Sequence, residues 1–191
     1  MRKIILASAS LRRQELLRMV GLQFDVEPSN YQEEIYSGKE PHELARSISR
    51  GKALAVAGKH RNAIIIAADT LGVFNGKVIG KPDTEKDAEK ILSILSGNSH
   101  SAITGFTIID IDNNKILSES VETRVYMRKL TKREIERYVN LKEPMGKAGA
   151  YAIQGLGSLL VERIEGDFFN VMGLPLCALA QSLKEFGIRL L

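Results

Sequence analysis

The chain has 191 residues and a mass of 21.1 kDa, enough for one domain or for two small lobes on a shared core. Its 44% hydrophobic and 26% charged residues are a globular composition, which excludes wholesale disorder and fibrous repeats. The net charge of +4 is unevenly spread: residues 1–62 carry 11 basic and 7 acidic side chains, and residues 63–191 carry 16 of each. That local excess points to a confined anionic site rather than to a nucleic-acid coat. A single cysteine, Cys177, excludes an intrachain disulfide and any multi-cysteine metal site. No apolar run approaches the roughly 20 residues of a membrane span. The apolar segment after Met1 is too short for a signal peptide, so a cytoplasmic protein is expected.

In chain order, Lys3 to Ala7 reads as a short buried strand. Ser10 caps a helix carrying Leu16, Leu17 and Val20, which Gly21 stops. Phe24 to Glu27 is a second strand, and residues 28–40 are polar and loop-like. Pro41 opens a helix with Leu44, Ile48, Leu54 and Val56 at helical spacing, ending near Gly58. Ala63 to Ala68 is the most apolar stretch, a strand buried on both faces; it ends in Asp69-Thr70 and resumes from Leu71 to Phe74. Asn75-Gly76 signals a hairpin returning through Lys77 to Ile79. Thr84 and Thr131 each cap a helix, with Asp87 and Glu134 three residues on. Between them, His100 to Ile111 and Ile116 to Met127 form a long strand pair across Asn113-Asn114. Residues 144–157 are irregular and rich in glycine, Leu159 to Ile164 is a strand, and Pro175 opens a last amphipathic helix that ends near Gly187. The fold class expected is a mixed, largely antiparallel α/β sheet with flanking helices, one domain over residues 1–191, with two lobes around a cleft.

Several groups could carry chemistry. Ser8, Ser10, Arg12 and Arg13 surround the start of the first helix, where backbone N–H groups favour an anion and forked guanidinium groups suit phosphate oxygens. Two arginines there oppose the helix dipole and call for an anion; the plain alternative is a cap followed by solvated arginines. Asp69 and Thr70 follow an all-apolar strand, where α/β sheets place ligands. A carboxylate there must be solvated, paired or metal-bound, and the plain alternative is an Asp that caps a turn. Lys81, between Gly80 and Pro82, is displayed on a loop, as any turn lysine would be. Glu33 and Glu34 could ligate a hard cation or simply be solvated. Lys52 lies on a helix and either leans into a cleft or snorkels at its edge. Gln154, flanked by Gly155, has the donor and acceptor that suit the edge of a base. No Walker A pattern or complete dinucleotide fingerprint occurs. His42, His60 and His100 have no motif context and are expected at the surface. Cations, acids and an amide together are what cleavage of a nucleoside triphosphate needs.

These residues occur in stretches that resemble the Maf family of nucleoside triphosphate pyrophosphatases. The resemblance runs from Leu6-Ala7-Ser8-Ala9-Ser10-Leu11-Arg12-Arg13 through Glu33, Lys52, Ala68-Asp69-Thr70, Gly80-Lys81-Pro82 and Leu95-Ser96-Gly97. It continues in Lys147-Ala148-Gly149-Ala150-Tyr151-Ala152-Ile153-Gln154-Gly155 and closes at Val171-Met172-Gly173-Leu174-Pro175. It implies a fold similar to the inosine triphosphate pyrophosphatases and hydrolysis between the α- and β-phosphates. It implies Asp69 as the proton acceptor, and Glu33 and Asp69 as ligands of a divalent cation, Mg or Mn. Ser8, Arg12, Arg13, Lys52 and Lys81 would grip phosphates, while Arg12, Thr70 and Gln154 match positions linked to nucleotide choice. The segment around Gln154 resembles the subgroup acting on dTTP and UTP. Leu11 stands where proline is usual, and Gln32 where an acid usually precedes Glu33, which leaves Glu34 as a substitute. The resemblance further implies a homodimer; neither a membrane nor nucleic acid is expected as a partner. The other readings are a pyrophosphatase for 7-methyl-GTP or non-standard purines, and a non-catalytic nucleotide or nucleic-acid binder linked to septum inhibition.

Overall fold

The computed structural model describes residues 2–32 and 38–191. Its elements follow the hydrophobic pattern closely. β1 (Lys3–Leu6), α1 (Leu11–Met19), β2 (Asp25–Val26) and α2 (Pro41–Ala57) lead to the long strand β3 (Ala63–Phe74). β4 (Lys77–Ile79), α3 (Glu85–Leu95), β5 (Ser99–Asp110), β6 (Lys115–Met127) and α4 (Lys132–Asn140) follow. Two 3-10 turns, Ala148–Ala150 and Gly155–Leu160, precede β7 (Val161–Glu165), α5 (Phe168–Met172) and α6 (Leu176–Lys184). The sheet is mixed and flanked by helices, in the order β2-β1-β3-β5-β6-β7, with β4 paired to β3. β1 runs parallel to β2 and β3, whereas β4 and β7 run antiparallel to their partners.

Two compact units share the three long strands. The first holds the chain up to Thr70, Thr104–Val121 and Gly173–Leu191. Its β1 pairs with β3 from Lys3↔Ala63 to Leu6↔Ile66, so β3 outruns β1. Successive strand residues face opposite sides. Ala63, Ile65 and Ala67 therefore share one face of β3, packed with Ala53 and Val56 of α2 and with Ile5 and Ile109. The small side chains at 53, 63 and 67 let the helix lie close. Gly105 of β5 adds to this, because a Cβ there would collide with the α2 backbone at Ala45. Burying Ile65, which is fully enclosed, is worth about 2 kcal/mol.

The second unit holds Leu71–Ile103 and Glu122–Met172. Asn75 and Gly76 both take positive φ, 49° and 74°, as a type I′ hairpin turn requires. Thr84 with Asp87, and Thr131 with Glu134, form reciprocal capping boxes on α3 and α4. Those helices pack on each other, and α3 also meets the turn Ala148–Ala150.

Three expectations are revised. β3 does not stop at Asp69 but continues unbroken to Phe74, because Leu71 and Val73 remain buried and prolong the apolar run. β7 starts at Val161 rather than Leu159, because Gly155–Leu160 is wound into a 3-10 turn. His100 is buried, at 4% exposure, rather than on the surface, and His42 and His60 are half-buried. As a β5 residue His100 turns inward, against Tyr151. Among the described residues no helix is long and apolar enough to cross a membrane.

Candidate active site

The order β2-β1-β3, all parallel, reverses direction between β1 and β3. At such a reversal the loops beyond the carboxyl ends of the strands diverge and leave a crevice, where open α/β sheets bind ligands. Here the last backbone bond between the two strands runs from the Ala7 N–H to the Ile66 carbonyl at 2.7 Å; Ser8–Ser10, which lead into α1, and residues 67–70 of β3 follow it.

Asp69 continues the face of β3 that Ala63, Ile65 and Ala67 give to α2. Lys52 of α2 meets it there, Nζ donating to Asp69 Oδ1 at 2.6 Å. The two side chains are 14% and 7% exposed, so the pair is largely removed from water. A buried carboxylate needs such a counter-charge. The bond fixes Oδ1 and leaves Oδ2 without a hydrogen bond among the described residues.

Thr70 belongs to the opposite face, where Arg13 lies. Arg13 reaches acceptors from separate parts of the chain. Its Nε donates to the Gly173 carbonyl at 2.8 Å, one terminal nitrogen to Ser8 Oγ at 3.2 Å, and the other to Thr70 Oγ1 at 3.2 Å. Ser8 Oγ also accepts the Ser10 N–H at 3.3 Å, and Ser10 caps α1 by accepting the Arg13 N–H at 3.5 Å. No acid occupies the first turn of α1. Gly173 presents its carbonyl at φ 118°, a backbone region essentially restricted to glycine. Arg12 is half-buried and makes no hydrogen bond or ion pair with a described residue, so its guanidinium is available to a ligand.

The first unit thus holds Ser8, Arg12, Arg13, Lys52, Asp69 and Thr70, with the Lys52–Asp69 pair on one face of β3 and Arg13 with Thr70 on the other. Lys81 and Gln154 belong to the second unit, and both are exposed. Glu33 and Glu34 lie outside the described residues, and Gln32 is exposed. The segment that carries Gln154 is braced within its own unit. The Tyr138 hydroxyl accepts the Ala152 N–H at 3.2 Å and donates to Glu143 Oε1 at 3.0 Å. Glu143 Oε1 also accepts the Gly157 N–H at 3.3 Å. His100 Nε2 and the Tyr151 hydroxyl lie 2.9 Å apart, and His100 Nδ1 is buried with no partner. Burial pushes His100 down to about 4 and pushes the Tyr151 phenol up.

Two participants were not legible in advance. Thr104 of β5, fully buried, lies 2.9 Å from Thr70 through the two hydroxyl oxygens. Nothing in its alternating surroundings separates it from an ordinary strand threonine. Gly173 was visible as part of a motif, but its use of a carbonyl rather than a side chain was not.

Residues 3–186 match the family model described as Maf-like protein. The chain is 47% identical to the dTTP/UTP pyrophosphatase of Methanosarcina barkeri, over 98% of this chain and 96% of that one. It is 49% identical to the dTTP/UTP pyrophosphatase of Methanococcoides burtonii, over 98% and 97%. It is 46% identical to that of Dictyoglomus thermophilum, over 100% and 99%. Solved HAM1 structures from Coxiella burnetii and Staphylococcus aureus are similar at TM-scores of 0.41 and 0.42, with 18% and 14% identity. Those likenesses cover 65% and 66% of this chain and 73% and 72% of theirs.

Proposed function

From the fact that this chain belongs to the Maf-like protein family, we propose that it hydrolyses dTTP and UTP to the nucleoside monophosphate and diphosphate. The observation that carries the reading is the Lys52–Asp69 pair, set on β3 beyond its last β1 pair and in the same unit as Ser8, Arg12 and Arg13. The names of the relatives supply the substrate class.

The N-terminus of α1, Ser8 and the two guanidinium groups receive the polyphosphate, supplying donors and positive charge where the ligand is anionic. Lys52 holds Asp69 by Oδ1 and turns Oδ2 toward a water. Asp69 takes a proton as the water oxygen bonds to the α-phosphorus. The bond from that phosphorus to the bridging oxygen breaks, and its electron pair leaves on the diphosphate. A general base of this kind is worth roughly 10²–10⁴-fold in rate.

A divalent cation, Mg or Mn, suits the donors. Asp69 offers a buried carboxylate, and Glu33, outside the described residues, is the second acid implied. Among the described residues no group of three His, Cys, Asp or Glu could hold a metal. Magnesium at nucleotide sites characteristically keeps phosphate and water among its ligands. When bound it would neutralise charge on the leaving diphosphate. Lys81 and Gln154 take the roles the resemblance implies, contact with phosphate and with the base. We also propose one domain over residues 1–191, a cytoplasmic homodimer and no nucleic-acid partner; light scattering tests the dimer.

The deciding experiment scores diphosphate released from a panel of triphosphates, including dTTP, UTP, 5-methyl-UTP, pseudo-UTP and 7-methyl-GTP, with metal present. Asp69→Asn should still bind nucleotide and lose roughly 10²–10⁴-fold in turnover. A variant that turns over dTTP at the wild-type rate refutes the role of Asp69. Preference for 7-methyl-GTP refutes the substrate.

A further inference from the structure

The first unit contains a polar knot that the proposed chemistry leaves partly unused. Thr70 Oγ1 accepts from Arg13 at 3.2 Å, lies 2.9 Å from Thr104 Oγ1, and points its hydroxyl toward the Gly173 carbonyl at the longer distance of 3.5 Å. A threonine hydroxyl has one proton. The Arg13 contact cannot use that proton, since a guanidinium only donates. Thr70 therefore either gives its proton to Thr104, or receives one from Thr104 and gives its own to Gly173. In both cases Thr104, at 0% exposure, fixes the direction of the Thr70 hydroxyl. The Gly173 carbonyl that Thr70 approaches also holds Arg13 Nε. The knot has a further property. The chain passes between its two units four times, at 70/71, 103/104, 121/122 and 172/173. Thr70, Thr104 and Gly173 stand at three of those passages, and Arg13 is bonded to two of them.

We propose that Thr104 is a positioning residue for nucleotide hydrolysis: its buried hydroxyl orients Thr70, and Thr70 together with Gly173 holds the Arg13 guanidinium ready for phosphate. This rests on the reading of the chain as a nucleoside triphosphate pyrophosphatase. Thr104 touches no substrate. It acts by removing the freedom of a hydroxyl and a long side chain before the ligand arrives, which is preorganisation rather than chemistry.

The test is a cycle of Thr104→Val, Thr104→Ser, Thr70→Val and the Thr70→Val/Thr104→Val double variant. Valine keeps the shape of threonine and removes the hydroxyl; serine keeps the hydroxyl. Steady-state diphosphate release should show kcat/KM for dTTP falling roughly 5–10-fold in Thr104→Val, the loss of about one buried hydrogen bond. Thr104→Ser should restore it, and the double variant should match Thr70→Val, because the two act as one unit. In nucleotide-free protein, NMR should show the Arg13 Nε–H exchanging with water several-fold faster in Thr104→Val than in wild type or Thr104→Ser. Wild-type kinetics and exchange in Thr104→Val overturn the proposal, as do strictly additive losses in the double variant. A wild-type chain that cleaves no triphosphate, but whose Arg13 exchange still depends on Thr104, sinks the functional reading and leaves the positioning intact.

Discussion

In the first unit, charged and hydroxyl side chains reach partners far apart in sequence: Arg13 to Thr70 and the Gly173 carbonyl, Thr70 to Thr104 and, on the other face of β3, Lys52 to Asp69. In the Ala148–Leu160 segment of the other unit, the bonds run instead from backbone N–H groups of Ala152 and Gly157 to two neighbours, Tyr138 and Glu143. The first arrangement sets the direction of charged and hydroxyl groups on strands and helices that their own cores already fix. The second sets the path of a chain segment that has no strand or α-helix to hold it. Substitutions at the first should change chemistry before fold. Those at the second should change local fold before chemistry.

The largest effect should come from breaking the ion pair. Lys52→Met strands a buried carboxylate, and removal of one partner of a buried pair costs about 3–5 kcal/mol. Urea unfolding should register that loss together with a collapse of turnover. Adding Asp69→Asn should return much of the stability and none of the activity. If Lys52→Met unfolds at the wild-type urea concentration, the pair is not the counter-charge described.

In the second unit, acidity replaces activity as the probe. Burial holds His100 near 4, against 6.5 in the unfolded chain. A base with a depressed folded value stabilises fully above the unfolded value, and that contribution disappears as the pH falls toward the folded one. Stability should therefore drop between about pH 6.5 and 4, by up to about 3 kcal/mol from this residue alone. His100→Phe should flatten that part of the curve. A slope unchanged by the substitution would assign the acid sensitivity elsewhere.

Gly105→Ala joins packing to chemistry in the first unit. Its methyl group would meet the α2 backbone at Ala45, two turns before Lys52 on the same helix. Overpacking of this kind costs about 1–3 kcal/mol. Shifting α2 should lengthen the 2.6 Å contact to Asp69 and lower kcat more than it raises KM. A loss confined to stability would show that the Lys52 contact tolerates movement of its helix.

The same contrast explains what could be read from the sequence. β3 follows from its continuous apolar run, and the capping boxes at Thr84 and Thr131 follow from spacing alone. Ser8, Arg13, Asp69 and Lys52 were visible because charge at helix starts and beside apolar strands needs a reason. The continuation of β3 through Thr70 was hidden by Asp69 and Thr70, polar residues that look like the end of a strand until their contacts are known. Thr104 was hidden because its role depends on a residue 34 positions away. His100 is buried against the surface expectation because a strand histidine faces inward or outward by register, and residue type does not set register.

The smallest effect tests the braced segment most sharply. Tyr138→Phe keeps the ring, which is 4% exposed, and removes the hydroxyl that accepts from Ala152 and donates to Glu143. The Ala152 N–H then loses an acceptor in a buried setting, a cost of about 1–3 kcal/mol. The segment Ala152–Gly157 should loosen, and hydrogen exchange of the Ala152 and Gly157 amides should accelerate while α3 and α4 stay protected. Asp69, Lys52 and Arg13 lie in the other unit and keep their bonds. Turnover of saturating dTTP should therefore stay within about twofold, while KM rises through the displaced Gln154, the pattern expected when binding is weakened and the chemical step is spared. A fall in kcat at unchanged KM would mean that the braced segment governs the reacting groups themselves. The division between a unit that fixes chemistry and a segment that fixes recognition would then have to be abandoned.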